Sequence, residues 1–145
     1  MSEKRPQTYA NHAKLVPLFH YVAIPLLLIN LLLALAGLLD GITVETLNRI
    51  GTGIAMVLTA LFARVFALKA QDRVIRLEER LRMARLLPDD LKPRIDEVTT
   101  GQCVALRFAS DEELPALVGR ALEEKADQKT IKQAIRNWRP DYQRV

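Results

Sequence analysis

The sequence predicts an all-α membrane protein: a two-helix transmembrane hairpin, its second helix extended into the cytoplasm, then a small helical module. Three observations carry this. The run Leu15–Leu39 contains no Lys, Arg, Asp or Glu, and its core from Leu18 is long enough for the roughly 20 apolar residues of a span. A second apolar stretch, Ile50–Leu68, follows a turn-forming segment at Asp40-Gly41-Ile42-Thr43. A heptad pattern then leaves that stretch and continues into charged sequence. The averages hide all of this: a mean hydropathy of +0.05 and a charged fraction of 26% resemble an ordinary soluble domain.

The elements follow in order. Residues 1–17 form a juxtamembrane segment, 18–39 the first span, 40–49 an external loop and 50–68 the second span. Residues 69–87 form a helical stalk and 88–145 the module. Only Asp40, Glu45, Arg49 and Arg64 interrupt residues 15–68 with charge. Arg64 lies about one turn from the end of the second span, where its stem can snorkel to the headgroups. Ala34-Leu35-Ala36 resembles a signal-peptide cleavage site, but the preceding apolar stretch exceeds the usual 7–15 residues, so the first span is expected to stay.

Positive charge sets the orientation. Lys4, Arg5 and Lys14 precede the first span, and Arg64, Lys69, Arg73, Arg76 and Arg80 close the second. The connecting loop holds only Arg49 against Asp40 and Glu45. Both termini are therefore expected in the cytoplasm. His12, Phe19, His20, Tyr21, Arg64, Phe66 and Lys69, with Phe62, fall near that interface as polar or bulky anchors.

Residues 69–87, KAQDRVIRLEERLRMARLL, contain no Pro or Gly. One seam set is Gly53, Ala60, Ala67, Val74 and Leu81; the other is Met56, Ala63, Ala70, Leu77 and Ala84. Small residues in lipid let helices approach closely, and larger ones in water supply hydrophobic drive. Either the seam pairs with a second copy, or it packs on the first span and the module. Asp72/Arg76 and Glu78/Arg82, each four apart, are placed to meet on the helix surface. In the first span, Ala23, Asn30 and Gly37 recur every seven residues. Asn30 sits near mid-membrane, where an amide needs a partner: Thr52, Thr59, or Asn30 of another protomer.

Beyond Pro88 the spacing predicts short helices near Asp89–Glu97, Thr100–Phe108, Asp111–Lys125 and Gln128–Trp138. Thr99-Thr100-Gly101-Gln102 and Ser110-Asp111-Glu112-Glu113 both fit a capping box. Charge is segregated: residues 69–85 hold six basic and three acidic groups, 86–127 five and ten, and 128–145 five and one. Ile131, Ile135 and Trp138 share a face ringed by Lys129, Lys132, Arg136 and Arg139. That face either closes the module's core or lies on anionic lipid.

Four blocks, QTYANHAKLVPLFHYVAIP, FALKAQDRVIRLEERLRMARLLP, ALRFASDEELPALV and IKQAIRNWRPDYQRV, resemble an uncharacterised bacterial family of small two-span membrane proteins. The resemblance covers nearly the whole chain. It implies a bacterial inner-membrane location and brings no activity, substrate or site residues.

No phosphate loop, GxSxG, HExxH or CxxC is present, and the lone Cys103 allows neither an intrachain disulfide nor a multi-Cys zinc site. No cofactor is expected. Basic and acidic groups nearly balance over residues 69–145, which argues against nucleic acid despite a pI near 9.5. The sequence reads best as a non-enzymatic, homo-oligomeric scaffold or adaptor whose seam is the pairing surface (Asn30, Gly53, Ala60, Ala67, Val74, Leu77, Leu81). Two rivals stand beside it. One is a channel or transporter subunit with Asn30, Thr52 and Thr59 facing a pore. The other is a membrane-tethered regulator binding a soluble partner through residues 88–145.

Overall fold

Two prolines set the start of the first helix: Pro17 stands at its N-cap and Pro25 lies one element further on. Pro25 lacks an amide donor, and its ring opposes a bond to the carbonyl of residue 21. The turn before it, Leu18–Ala23, widens to a π-helix in which Ile24 N–H reaches Phe19 O. The chain then settles into α1, Ile24–Ala36, and tightens to a 3₁₀ turn at Gly37–Asp40. These features belong to a computed structural model that describes residues 6–11 and 15–142. Its regular elements there are all helical, apart from one isolated backbone bridge between Ala109 and Trp138.

The loop after the first apolar helix is shorter than the sequence suggests. Gly41 adopts φ +127°, a conformation that favours glycine. Thr43 Oγ1 then accepts from Thr46 N–H at 3.1 Å, and Thr46 Oγ1 donates to Gly41 O at 3.3 Å. This threonine cap starts α2 at Val44, six residues before the Ile50 expected from hydropathy, and α2 runs unbroken to Leu86. Hydropathy marks where a helix turns apolar, whereas a cap marks where it begins. The segments Leu18–Asp40 and Val44–Leu86 are both long and apolar enough to cross a membrane.

The chain divides into two units, one within residues 14–68 and the other within 69–144 together with the N-terminal segment. In the first, Ala34 and Gly53 are buried. A Cβ placed on Gly53 would stand 3.1 Å from Leu31 Cδ1 and 3.5 Å from Leu31 Cα. Gly53 thus serves the hairpin's own packing, the second use the sequence allowed for this part of the seam. Gly53→Ile forces the helices apart and is expected to cost about 1–3 kcal/mol. Detergent-titrated unfolding of the full-length protein measures it.

In the second unit Pro88 stops α2, as expected, with Leu87 N–H still bonded to Met83 O. The core gathers Met83, Leu87, Val98, Leu106, Phe108, Leu114, Val118 and Ile131. Its helices are α3 (Thr100–Leu106), α4 (Leu114–Glu123) and α5 (Gln128–Ala134), after a 3₁₀ turn at Lys92–Glu97. The Thr99 capping box forms in full. The second box does not. Ser110 Oγ accepts from Glu113 N–H at 3.3 Å, but the Glu113 carboxylate accepts instead from Arg136 and Asn137 N–H, at 3.1 and 3.0 Å. The helix accordingly starts at Leu114 rather than Asp111.

The last helix is also shorter than predicted. It ends at Ala134, Ile135 turns extended, and Arg139 N–H bonds Phe108 O at 2.7 Å. Ile131 and Ile135 are buried, and the Trp138 ring lies 5.0 Å from that of Phe108. This face closes the module's core.

Candidate functional site

The stalk uses its faces unequally. With Val74 and Leu81 at heptad position a and Leu77 at d, positions b, c and f carry Ile75, Glu79, Arg82 and Met83. These four are buried, at 6%, 4%, 4% and 0% exposure. The a and d residues stay bare: Val74 at 55%, Leu77 at 61% and Leu81 at 58%. Ala70 and Ala84, also at d, are exposed. The module therefore covers the outer positions of the heptad and leaves the seam open. Three large apolar side chains in one line on a charged helix form a patch that water does not favour.

A buried ion cluster fastens the stalk to the module. Arg82 Nη1 donates to Glu79 Oε2 at 3.1 Å, Nε to Asp111 Oδ1 at 2.8 Å, and Nη2 to Ala109 O at 2.7 Å. Arg139 Nη1 lies 3.9 Å from the other Glu79 oxygen. Burial pushes the Glu79 carboxyl above its ordinary value although Arg82 and Arg139 pull it down. The expected surface pairs do not form: Arg82 turns to Glu79 rather than Glu78, and no ion pair joins Asp72 to Arg76. Asp111 and the Ala109 carbonyl decide this, since together with Glu79 they give Arg82 three partners where Glu78 offers one.

Beside the cluster lies a cleft of about 590 Å³ lined in part by Arg82, Arg85, Arg107, Arg139 and Asp141. Three of these arginines are already matched within the chain: Arg82 and Arg139 by the cluster, and Arg107, whose Nε stands 3.3 Å from Asp141 Oδ2. Gln7 holds this C-terminal segment by exchanging two hydrogen bonds with the Asp141 backbone, at 3.0 and 2.8 Å. Among the described residues, no group of three or more His, Cys, Asp or Glu is placed to hold a metal ion. Cys103 is fully buried in α3, and burial raises its thiol to about 11, as befits a core side chain rather than a nucleophile.

The other sequence-predicted residues are distributed as follows. Asn30 is exposed, and no hydrogen bond joins it to Thr52 or Thr59; the Thr59 hydroxyl bonds its own helix at Ala55 O, 2.8 Å away. The intrachain pairing expected for Asn30 is absent, and Thr59 gives its hydroxyl proton to its own helix. Ala60 and Ala67 are half-buried. Phe19, His20 and Arg64 are half-buried, while Tyr21, Phe66 and Lys69 are exposed. Phe66 stacks on Phe62 at 5.7 Å, and Phe19 meets His20 edge-on at 5.2 Å. His12 lies outside the described residues.

Sequence reasoning missed Gln102 as a clamp. Besides capping α3, its Nε2 donates to Ala121 O and Ala126 O, at 3.0 and 3.1 Å. The capping motif flags the residue but not its second task. Gln102→Leu removes both bonds, together with the one its Oε1 accepts from Thr99 N–H at 2.9 Å, and leaves Ala121 O with Ala126 N–H alone; the change is expected to cost about 2–3 kcal/mol, read as a lower Tm of the full-length protein.

No curated protein and no solved structure matches the chain. The model of a family of unknown function (DUF6526) matches residues 1–145, and the chain belongs to that family.

Proposed function

We propose that this chain is a bacterial inner-membrane protein with two spans and both termini in the cytoplasm. It acts without catalysis, as a homo-oligomeric scaffold or adaptor. The observation that supports this is the bare line Val74–Leu77–Leu81 on a stalk that buries Ile75, Glu79, Arg82 and Met83 against the module. Burying what remains exposed on each of these side chains contributes on the order of 1 kcal/mol. That gain repeats on every copy and adds to the advantage of confinement in a bilayer. Asn30 supports the same reading: an exposed amide at mid-span gains from a partner that another protomer can supply.

Native mass spectrometry of the full-length protein in mild detergent tests the proposal. A defined oligomer persisting on dilution agrees with it, and a monomer at every concentration overturns it.

A further inference from the structure

We infer that the partner on the stalk is one second copy of this chain, parallel and in register, so that the two stalks form a short coiled coil with the modules on its outside. This rests on the self-association reading above and adds direction, register and number. Chains inserted with one topology send their stalks out on the same side of the bilayer, so two stalks meet parallel. The module takes positions b, c and f, which a two-stranded coil turns away from its axis, and so it does not obstruct the contact. Val74 at a with Leu77 at d is the combination that favours two strands.

The flanking charges fit this register. Position g carries Arg73 and Arg80, and position e carries Gln71, Glu78 and Arg85. A parallel coil sets each g residue against the e residue five further along the other chain. Arg73 then faces the partner's Glu78, twice by symmetry. Both groups are exposed, and neither makes an ion pair among the described residues. Arg80 would face the partner's Arg85, but Arg80 Nη2 is held by Asp96 Oδ1 at 3.0 Å. The unfavourable contact is thus reduced within each chain, and the favourable one is left for the partner.

The test uses the full-length protein in liposomes with Cys103 replaced by Ala. Leu77→Cys is expected to give a disulfide-linked dimer on mild oxidation, whereas Arg120→Cys, on the exposed side of the module, is not. In the Leu77→Cys background, Arg73→Glu or Glu78→Arg is expected to lower the linked fraction, consistent with an association about tenfold weaker, and the two together to restore it. Native mass spectrometry of the same samples separates the failures. A persistent oligomer with no Leu77→Cys link, or with no rescue by the double exchange, overturns the register while leaving self-association standing. A monomer overturns both.

Discussion

Arg82→Met is expected to destabilise the C-terminal module by about 3–5 kcal/mol. Glu79 would remain 4% exposed, stripped of its 3.1 Å partner and left only Arg139 at 3.9 Å. The Ala109 carbonyl would also lose its donor. The protein's single tryptophan, Trp138, packs on Phe108 inside this module, so its fluorescence during thermal unfolding reports the loss. Replacing both members of the pair, Glu79→Leu with Arg82→Met, is expected to recover most of the stability, because the uncompensated charge is removed with its counterion.

The same variant has a defined pH signature. Burial raises the Glu79 carboxyl above its unfolded value, the largest influence on it, and Arg82 is the main opposing one. A raised carboxyl binds its proton more tightly in the folded state. Its contribution is fully present below the unfolded value and is lost as pH rises through the folded value. Removing Arg82 widens that window. The Tm deficit of Arg82→Met relative to the parent is therefore expected to be largest at neutral pH and to shrink on acidification. Taking the difference matters, since Asp89, Glu97 and Asp127 have lowered carboxyls whose contributions are lost as pH falls. A deficit that grows on acidification contradicts the assignment.

Leu77→Lys with Leu81→Lys is expected to weaken self-association about a hundredfold or more. Each substitution removes an apolar contact and sets like charges across the seam of two identical chains. Both side chains are exposed in the single chain, at 61% and 58%, so the fold itself is expected to change by no more than about 0.5 kcal/mol. Sedimentation in detergent reads the first effect and Trp138 fluorescence the second. Loss of folding together with association would mean that these residues serve the chain's own core.

What the sequence made legible was what local pattern controls. A charge-free leucine run announces a long apolar helix, and Pro88 ends the stalk. The Thr99 box places α3 because a cap is settled within four residues. The heptad pattern marked Val74, Leu77 and Leu81 as one line, which is where the bare face lies. Choices made by distant residues were not legible. Glu78 and Glu79 are adjacent in sequence, and only Arg82, turned inward by Asp111 and the Ala109 carbonyl, selects Glu79. The last helix stops at Ala134 because residues 137–139 bond back to Phe108 and Ser110, a pairing that no periodicity records. Gly53 fits a self-association seam and a hairpin contact equally well by spacing; Leu31 decides that it packs within the hairpin.

The most direct test of the central claim counts chains in a bilayer. Fluorophore-tagged full-length protein, reconstituted at low density in lipid vesicles, is followed by stepwise photobleaching with Leu77→Lys/Leu81→Lys as the reference. Mostly two-step traces are expected for the parent and single-step traces for the reference. Single steps for both, at the density expected by chance, would contradict the claim.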